Sequence, residues 1–345
     1  MSKERNIISI EDAVQKLNQG IPIGMPTETV YGLAARIDKP DGIQKIFTFK
    51  KRPFFDPLIV HVFSIDQAKT LVEGWGRVHQ SLASSFWPGP LTMVLQKKSL
   101  VSDLITSGLN TVGVRMPNHP MALKLIESVG CPLAAPSANR FGRTSPTTAA
   151  DVLVELGDQG VSCIDGGPSQ VGIESTIIEA SEDQSQAVIT VLRPGGISND
   201  QIRTSLKGCG ISKVDFTKPN LNSVKASGQL KHHYMPQIPL VLVSPDHSEA
   251  DVIKFYLEHH EEIPSEFEGV KLNRPTKVSN LSELILPAAP ELAARELYSN
   301  LRRCSSNNAD IIFCRVNDQF QTDSWVAIRD RLFKAASLIH PKVKI

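Results

Sequence analysis

Residues 9–33 read Ser-Ile-Glu-Asp-Ala-Val-Gln-Lys-Leu-Asn-Gln-Gly-Ile-Pro-Ile-Gly-Met-Pro-Thr-Glu-Thr-Val-Tyr-Gly-Leu. Ile10, Ala13, Val14 and Leu17 recur at helical spacing behind Ser9, a residue type that caps helices, and Gly20 stands where a helix stops. Residues 21–25 then form an apolar run of strand length. The same alternation continues outward. A helix carrying Ile43, Ile46 and Phe47 halts before Pro53. Runs at 58–62, 91–96 and 111–116 read as strands, 122–129 as a helix closed by Gly130, and 132–135, 175–179 and 188–192 as further strands. Interleaved helices and strands predict an α/β fold with some crossover connections.

A chain of 345 residues is long for one core, so two domains are expected. Between residues 208 and 239 the pattern dissolves into Lys, Ser, Asn, Gly and Pro. The reading is a catalytic domain at 1–207, a linker at 208–238 and a small α/β domain at 239–345. The last contains strands at 239–243 and 311–315 and helices at 248–258, 290–303 and 325–337. Basic and acidic residues number 37 and 36, for a net charge of +1, which argues against a nucleic-acid coat or a membrane-surface protein. The five cysteines are widely spaced, with no pair set as in a zinc or redox motif, and predict reduced, buried thiols. Without an apolar leader or a run of membrane-spanning length, a cytoplasmic location with no membrane contact is expected.

Several large enzyme classes are missing their signatures: no phosphate-binding Gly-x-x-x-x-Gly-Lys-Ser/Thr loop, no His-Glu-x-x-His, no Gly-x-Ser-x-Gly and no Gly-x-Gly-x-x-Gly. What remains are short polar motifs at strand ends. In Pro26–Leu33, Thr27 and Thr29 share one side of an extended segment, although the same residues also build ordinary turns. In Lys50-Lys51-Arg52-Pro53, the proline forces Arg52 out of helical geometry, so Lys50 and Arg52 converge while Lys51 turns away. Converging cations suit a polyphosphate, and a solvated positive helix end is the plainer alternative. Ser137 and Asn139 in Ala135-Pro136-Ser137-Ala138-Asn139 have the same two-residue spacing, and residues 145–148, Ser-Pro-Thr-Thr, read as a helix start. Asp165-Gly166-Gly167 and Gly172-Ile173-Glu174-Ser175-Thr176 are glycine-rich, Arg193 precedes a proline, and Thr111 and Arg115 fall on one side of a strand. His61 interrupts the apolar run 58–62, where a core histidine is the commoner reading.

In this order the motifs resemble the YrdC-like domain of threonylcarbamoyl-AMP synthases. Pro-Thr-Glu-Thr-Val-Tyr-Gly-Leu, Lys-x-Arg-Pro, Pro-Leu-Ile-Val-His, Ala-Pro-Ser-Ala-Asn, Ser-Pro-Thr-Thr-Ala, Glu-Ser-Thr-Ile and Leu-Arg-Pro-Gly-Gly follow one another across residues 5–205. The segments His233–Pro236, Ala293–Tyr298 and Ala327–Leu332 are similar to those of the longer, two-domain form. The resemblance implies a twisted mixed sheet with helices around a large positive concave cavity, a linker that folds over it, and a smaller Rossmann-like C-terminal domain. It assigns Lys50, Arg52, Ser137 and Asn139 to catalysis. Arg52, Asp56, Thr111, Ser137, Ser145, Arg193 and Tyr234 are assigned to ATP, and Thr29, His61, Arg115, Ala135 and Ser175 to threonine. Asp56 and Asp330 depart from the family, which commonly has Asn at both positions.

The implied activity is that of a nucleotidyltransferase making L-threonylcarbamoyladenylate and pyrophosphate from L-threonine, bicarbonate and ATP, the first step of a tRNA adenosine modification. Mg2+ is expected with ATP, at ligands the sequence does not identify. Hand-over of the product to the tRNA threonylcarbamoyl transferase is implied, with a weak tRNA contact left open. An RNA-binding module and a carbamoyl-handling domain with another amine acceptor are the competing classes.

Overall fold

The computed structural model describes residues 6–218, 233–267 and 270–343. The chain divides into two compact units, Met1–Arg140 with Pro146–Gln229, and Phe141–Ser145 with Leu230–Ile345. The helix expected after Ser9 is present as Ile10–Asn18: the Ser9 hydroxyl accepts from the Asp12 N–H, and Gly20 follows at φ 68°. It leads into β1 (Ile23–Met25), and the Pro-Thr-Glu-Thr motif is the connection that turns the chain into an antiparallel β2 (Gly32–Arg36).

Seven more strands complete the first unit: β3 (Ile59–His61), β4 (Leu91–Gln96), β5 (Thr111–Arg115), β6 (Leu133–Ala134), β7 (Thr176–Asp183), β8 (Gln186–Arg193) and β9 (Lys213–Thr217). Among the described residues they form one sheet in the order β1-β2-β6-β3-β5-β4-β7-β8-β9. Pairing is mixed. β3 with β5, β4 with β7 and β8 with β9 run parallel, which requires the crossover connections the sequence predicted. Strand β9 lies inside the stretch read as linker, so regular structure in the first unit runs on to residue 217. Its Lys-Val-Asp-Phe-Thr sequence is that of a half-solvated edge strand, which propensity alone does not reveal. Most of the rest of that linker, residues 219–232, lies outside the described residues.

The two faces of this sheet differ in chemistry because side chains alternate along a strand. Val60, Leu91, Met93, Leu95, Val112, Val114 and Ile178 point into the main core, packed under helices such as Pro40–Lys50, Arg77–Phe86 and Pro120–Val129. Their neighbours in sequence, Ile59, His61, Thr92, Val94, Thr111, Gly113, Arg115 and Ile177, therefore occupy the other face. There Val94, Ile177, Leu192 and Ile59 make a small separate apolar cluster.

In the second unit, strands Leu281–Glu283, Ile311–Arg315, Leu240–Val243 and Leu338–Ile339 form an all-parallel sheet in that spatial order. Helices Glu249–His259, Pro290–Ser306 and Val326–Ala335 accompany it, close to the expected ranges. Asp330 pairs with Arg331 and Lys334 at 2.7 and 2.8 Å. No helix of the described residues is long and apolar enough to cross a membrane.

The two-faced sheet makes a stability prediction. Ile178→Ala on the core face should cost about 2–5 kcal/mol in urea unfolding, while Ile59→Ala, half-buried on the other face, should cost about half of that or less. Equal losses would contradict the assignment of the faces.

Candidate active site

Helix Pro40–Lys50 ends because Lys51 adopts the left-handed conformation (φ 51°), its N–H returning to Phe47 and Thr48. That turn sends Lys51 to solvent and Lys50 and Arg52 inward, at 1% and 5% exposure. The Lys50 Nζ donates to the carbonyls of Ser137, at 2.5 Å, and Asn139. Lys50 thus reaches the Ser-Ala-Asn segment, while the equally inward Arg52 bonds to carbonyls of its own following turn. Arg52 Nε donates to the Asp56 carbonyl and Nη2 to that of Pro57, each at 3.0 Å, and Nη2 lies 2.8 Å from the Asp56 carboxylate. Burial first, then the charge of Arg52, pushes the Lys50 ammonium well below the usual lysine value. For Asp56, burial pushes the carboxyl up, against the pull of Arg52, Lys50 and Arg193. Arg52 is thus the ion-pair partner of the buried Asp56, and the charges of Lys50 and Arg193 also act on that carboxyl.

Arg193 sits at the end of β8 and is 4% exposed. Its Nε and Nη2 donate to the Ser175 carbonyl at 3.1 and 3.0 Å, and Nη2 also to the Ser175 hydroxyl at 3.1 Å. The Ser175 hydroxyl in turn meets Thr92 Oγ1 at 2.7 Å. The turn after Arg193 must carry Gly195, since a Cβ there would lie 2.3 Å from the Thr176 nitrogen and 2.5 Å from the Glu174 carbonyl oxygen.

A second cluster forms around Arg115, directly opposite His61 in the β3–β5 register. Its Nη1 donates to Thr29 Oγ1 at 2.9 Å, its Nε to the Gly89 carbonyl at 3.2 Å, and its Nη2 lies 2.7 Å from the Glu28 carboxylate. Thr27 and Thr29 do share a side, their hydroxyls 2.9 Å apart. The glycine-rich segment ties this motif down: Tyr31 donates to the Gly167 carbonyl at 2.7 Å, the Ser169 hydroxyl to that of Thr27 at 3.0 Å, and the Val171 N–H to that of Glu28 at 2.7 Å. Burial, helped by Arg115, pushes His61 down to about 3, so its imidazole is neutral at physiological pH.

Of the remaining expected residues, Ala135 is buried with its N–H on the Ile59 carbonyl, and Thr111 is half-buried at the start of β5. A small recess over the polar face is lined by Ile59, Thr92, Thr111, Gly113 and Ile177. Ser145 and Tyr234 belong to the second unit. There the Thr144 hydroxyl donates to the Tyr234 carbonyl at 3.2 Å, the Tyr234 ring stacks on Tyr298 at 5.8 Å, and the Arg331 guanidinium lies 5.3 Å from it. Among the described residues, no group of three or more His, Cys, Asp or Glu side chains gathers as a metal site.

Comparison with known proteins decides the family. A family model described as "Telomere recombination" matches residues 15–195, and one described as "Threonylcarbamoyl-AMP synthase, C-terminal domain" matches residues 197–337. The chain belongs to the threonylcarbamoyl-AMP synthase family. The Bacillus subtilis (strain 168) threonylcarbamoyl-AMP synthase is 36% identical over 95% of this chain and 92% of its own length. The enzyme of the same name from Pyrococcus abyssi (strain GE5 / Orsay) is 35% identical over 93% of this chain and 92% of its own. A crystal structure of P. abyssi Sua5 complexed with L-threonine matches with TM-score 0.76 and 32% identity, covering 96% of this chain and 95% of that one. Membership makes this chain an enzyme of nucleotidyltransferase type.

Two residues of this threonylcarbamoyl-AMP synthase family member escaped the sequence reading. Thr92 is fully buried against Ser175, and Glu28 is buried against Arg115. For Thr92 the alternation in Leu-Thr-Met-Val-Leu was available, since it places the hydroxyl opposite the core face. For Glu28 no spacing rule applies, because its partner lies 87 residues away.

The neutral state of His61 has a measurable consequence. An unfolded histidine titrates near 6.5 and this one near 3, so between those values only the unfolded chain takes up the proton. The stability His61 confers is complete above pH 6.5 and is lost as pH falls toward 3, at roughly 1.4 kcal/mol per unit. Between pH 7 and pH 5, His61→Gln should lose about 2 kcal/mol less than the parent in denaturant unfolding. Parallel pH profiles for the two proteins would refute a neutral His61.

Proposed function

We propose that this enzyme condenses L-threonine, bicarbonate and ATP into L-threonylcarbamoyladenylate and pyrophosphate, the first step in threonylcarbamoylation of a tRNA adenosine. The observation that carries the reading is the burial of Lys50, Arg52 and Arg193 in the first unit, with Arg52 paired to Asp56 and Lys50 anchored on the Ser137–Asn139 segment. Buried cations held by carbonyls and one carboxylate form a site that favours polyanions. The names of the relatives and the threonine complex of P. abyssi Sua5 support the substrate class.

The chemistry asks little more of the protein than position and charge. The threonine ammonium releases one proton to solvent, and the resulting amine adds to the carbon dioxide of bicarbonate to give a carbamate, its second proton leaving with the bicarbonate hydroxide as water. A carbamate oxygen attacks the α-phosphorus of ATP, the bond to the β-phosphate oxygen breaks, and pyrophosphate leaves. The nucleophile is already an anion, so no activating base is required, and stabilisation of the developing phosphate charge dominates. Lys50, Arg52 and Arg193 supply it, with Ser137 and Asn139 orienting the reacting groups. Arg115 takes the carboxylate of threonine, while Thr29, neutral His61, Ala135 and Ser175 enclose its side chain. Asp56, Thr111, Ser145 and Tyr234 are assigned to ATP by resemblance. Mg2+ enters as part of the nucleotide substrate, on its phosphates. A cytoplasmic location and transfer of the product to the tRNA-modifying enzyme complete the proposal.

Arg52 is the residue to test, and lysine the substitution to use, because alanine would leave Asp56 buried without its partner. Arg52→Lys keeps a charge there but loses the two-pronged geometry. Threonine- and bicarbonate-dependent pyrophosphate release should fall about 100-fold with folding intact. Release within about threefold of the parent would remove Arg52 from the phosphate site.

A further inference from the structure

Glu28 touches no reacting group, yet its carboxyl is buried beside Arg115 in the amino-acid pocket. It is 4% exposed, and apart from the close approach of Arg115 Nη2 at 2.7 Å its carboxylate oxygens accept no aligned hydrogen bond from a described group. Arg115 is also held by Thr29 and the Gly89 carbonyl, so a carboxylate bound to its guanidinium would lie beside Glu28. The other titratable neighbours are His61 and His119, and burial lowers both below the usual histidine value. Glu28 and Arg115 therefore cancel each other, and the pocket around them carries no net charge.

A buried ion pair tolerates a newcomer only if the charges still balance afterwards. A simple carboxylate drawn to Arg115 would leave the charge of Glu28 uncompensated in a dry site. An α-amino acid brings its own ammonium group, whose positive charge restores the balance. We infer that Glu28 sets the charge selectivity of the pocket for the incoming ligand, before the carbamate forms: its pairing with Arg115 admits a zwitterionic amino acid and disfavours a simple carboxylate of the same shape. The inference rests on the reading of this pocket as the threonine site, and assigns Glu28 a role in specificity rather than in the chemical step.

The test compares two ligands by calorimetry on the full-length protein: L-threonine, and its deaminated analogue with a hydroxyl in place of the amine. The parent should prefer threonine by about 100-fold, the scale of breaking a buried charge pair. In Glu28→Gln, which keeps the shape and loses the charge, threonine should weaken and the analogue hold or tighten, leaving the preference within about fivefold. Equal weakening of both ligands, as a merely structural role would produce, overturns the inference, and so does an unchanged preference. Should the glutamine variant fail to fold, the parent still decides, because equal binding of analogue and threonine refutes charge selection. Glu28→Asp should then retain the preference for threonine. A parent that binds neither ligand sinks the threonine-site reading itself, an outcome distinct from the others.

Discussion

Four cations, Lys50, Arg52, Arg115 and Arg193, are each no more than 5% exposed in the first unit, and the arrangement of everything around them answers that constraint. A buried positive group is tolerable only when its donors are met. Here backbone carbonyls meet them in every case: Ser137 and Asn139 for Lys50, Asp56 and Pro57 for Arg52, Gly89 for Arg115, Ser175 for Arg193. A carbonyl oxygen satisfies a donor without cancelling its charge. The carboxylates of Asp56 and Glu28 neutralise only part of the total, and the remaining field is what an anionic substrate would meet.

The fold supplies those carbonyls from chain segments that leave their strands. Residues 136–139 follow β6, residue 89 precedes β4, and residue 175 precedes β7, all at the margin of one sheet. The opposite face of that sheet carries the main apolar core, so folding is secured on one side while the other is free to hold polar groups at a cost to stability. Close backbone approaches hold the margin in register. Gly195 lies against Thr176 and Glu174, and the segment 166–171 straps the Thr-Glu-Thr turn through Tyr31, Ser169 and Val171. The site is thereby largely preformed, as catalysis by position requires.

An asparagine at position 56 would give Arg52 a neutral neighbour, whereas the Asp56 carboxylate forms a buried ion pair with it at 2.8 Å. Any anion approaching Arg52 would share the guanidinium with Asp56, whose carboxyl also feels the charges of Lys50 and Arg193.

Much of this was legible in the linear chain. Helical spacing behind Ser9, apolar runs of strand length and the proline after Arg52 gave most elements of both units, and the turn chemistry at residues 50–53 correctly separated Lys50 and Arg52 from Lys51. These are local effects of capping, sterics and periodicity, which depend on neighbours in sequence. Strand β9 was not legible, because an edge strand is made by the partner it pairs with. Nor was the pairing of Glu28 with Arg115, or of Ser175 with Thr92 and Arg193, since nothing in a sequence states which distant charges and hydroxyls will share a desolvated space. The alternating elements and the kinds of polar residue at their ends are written in local sequence. Which of those residues meet follows from sheet order and register, properties of long-range packing rather than of local propensity.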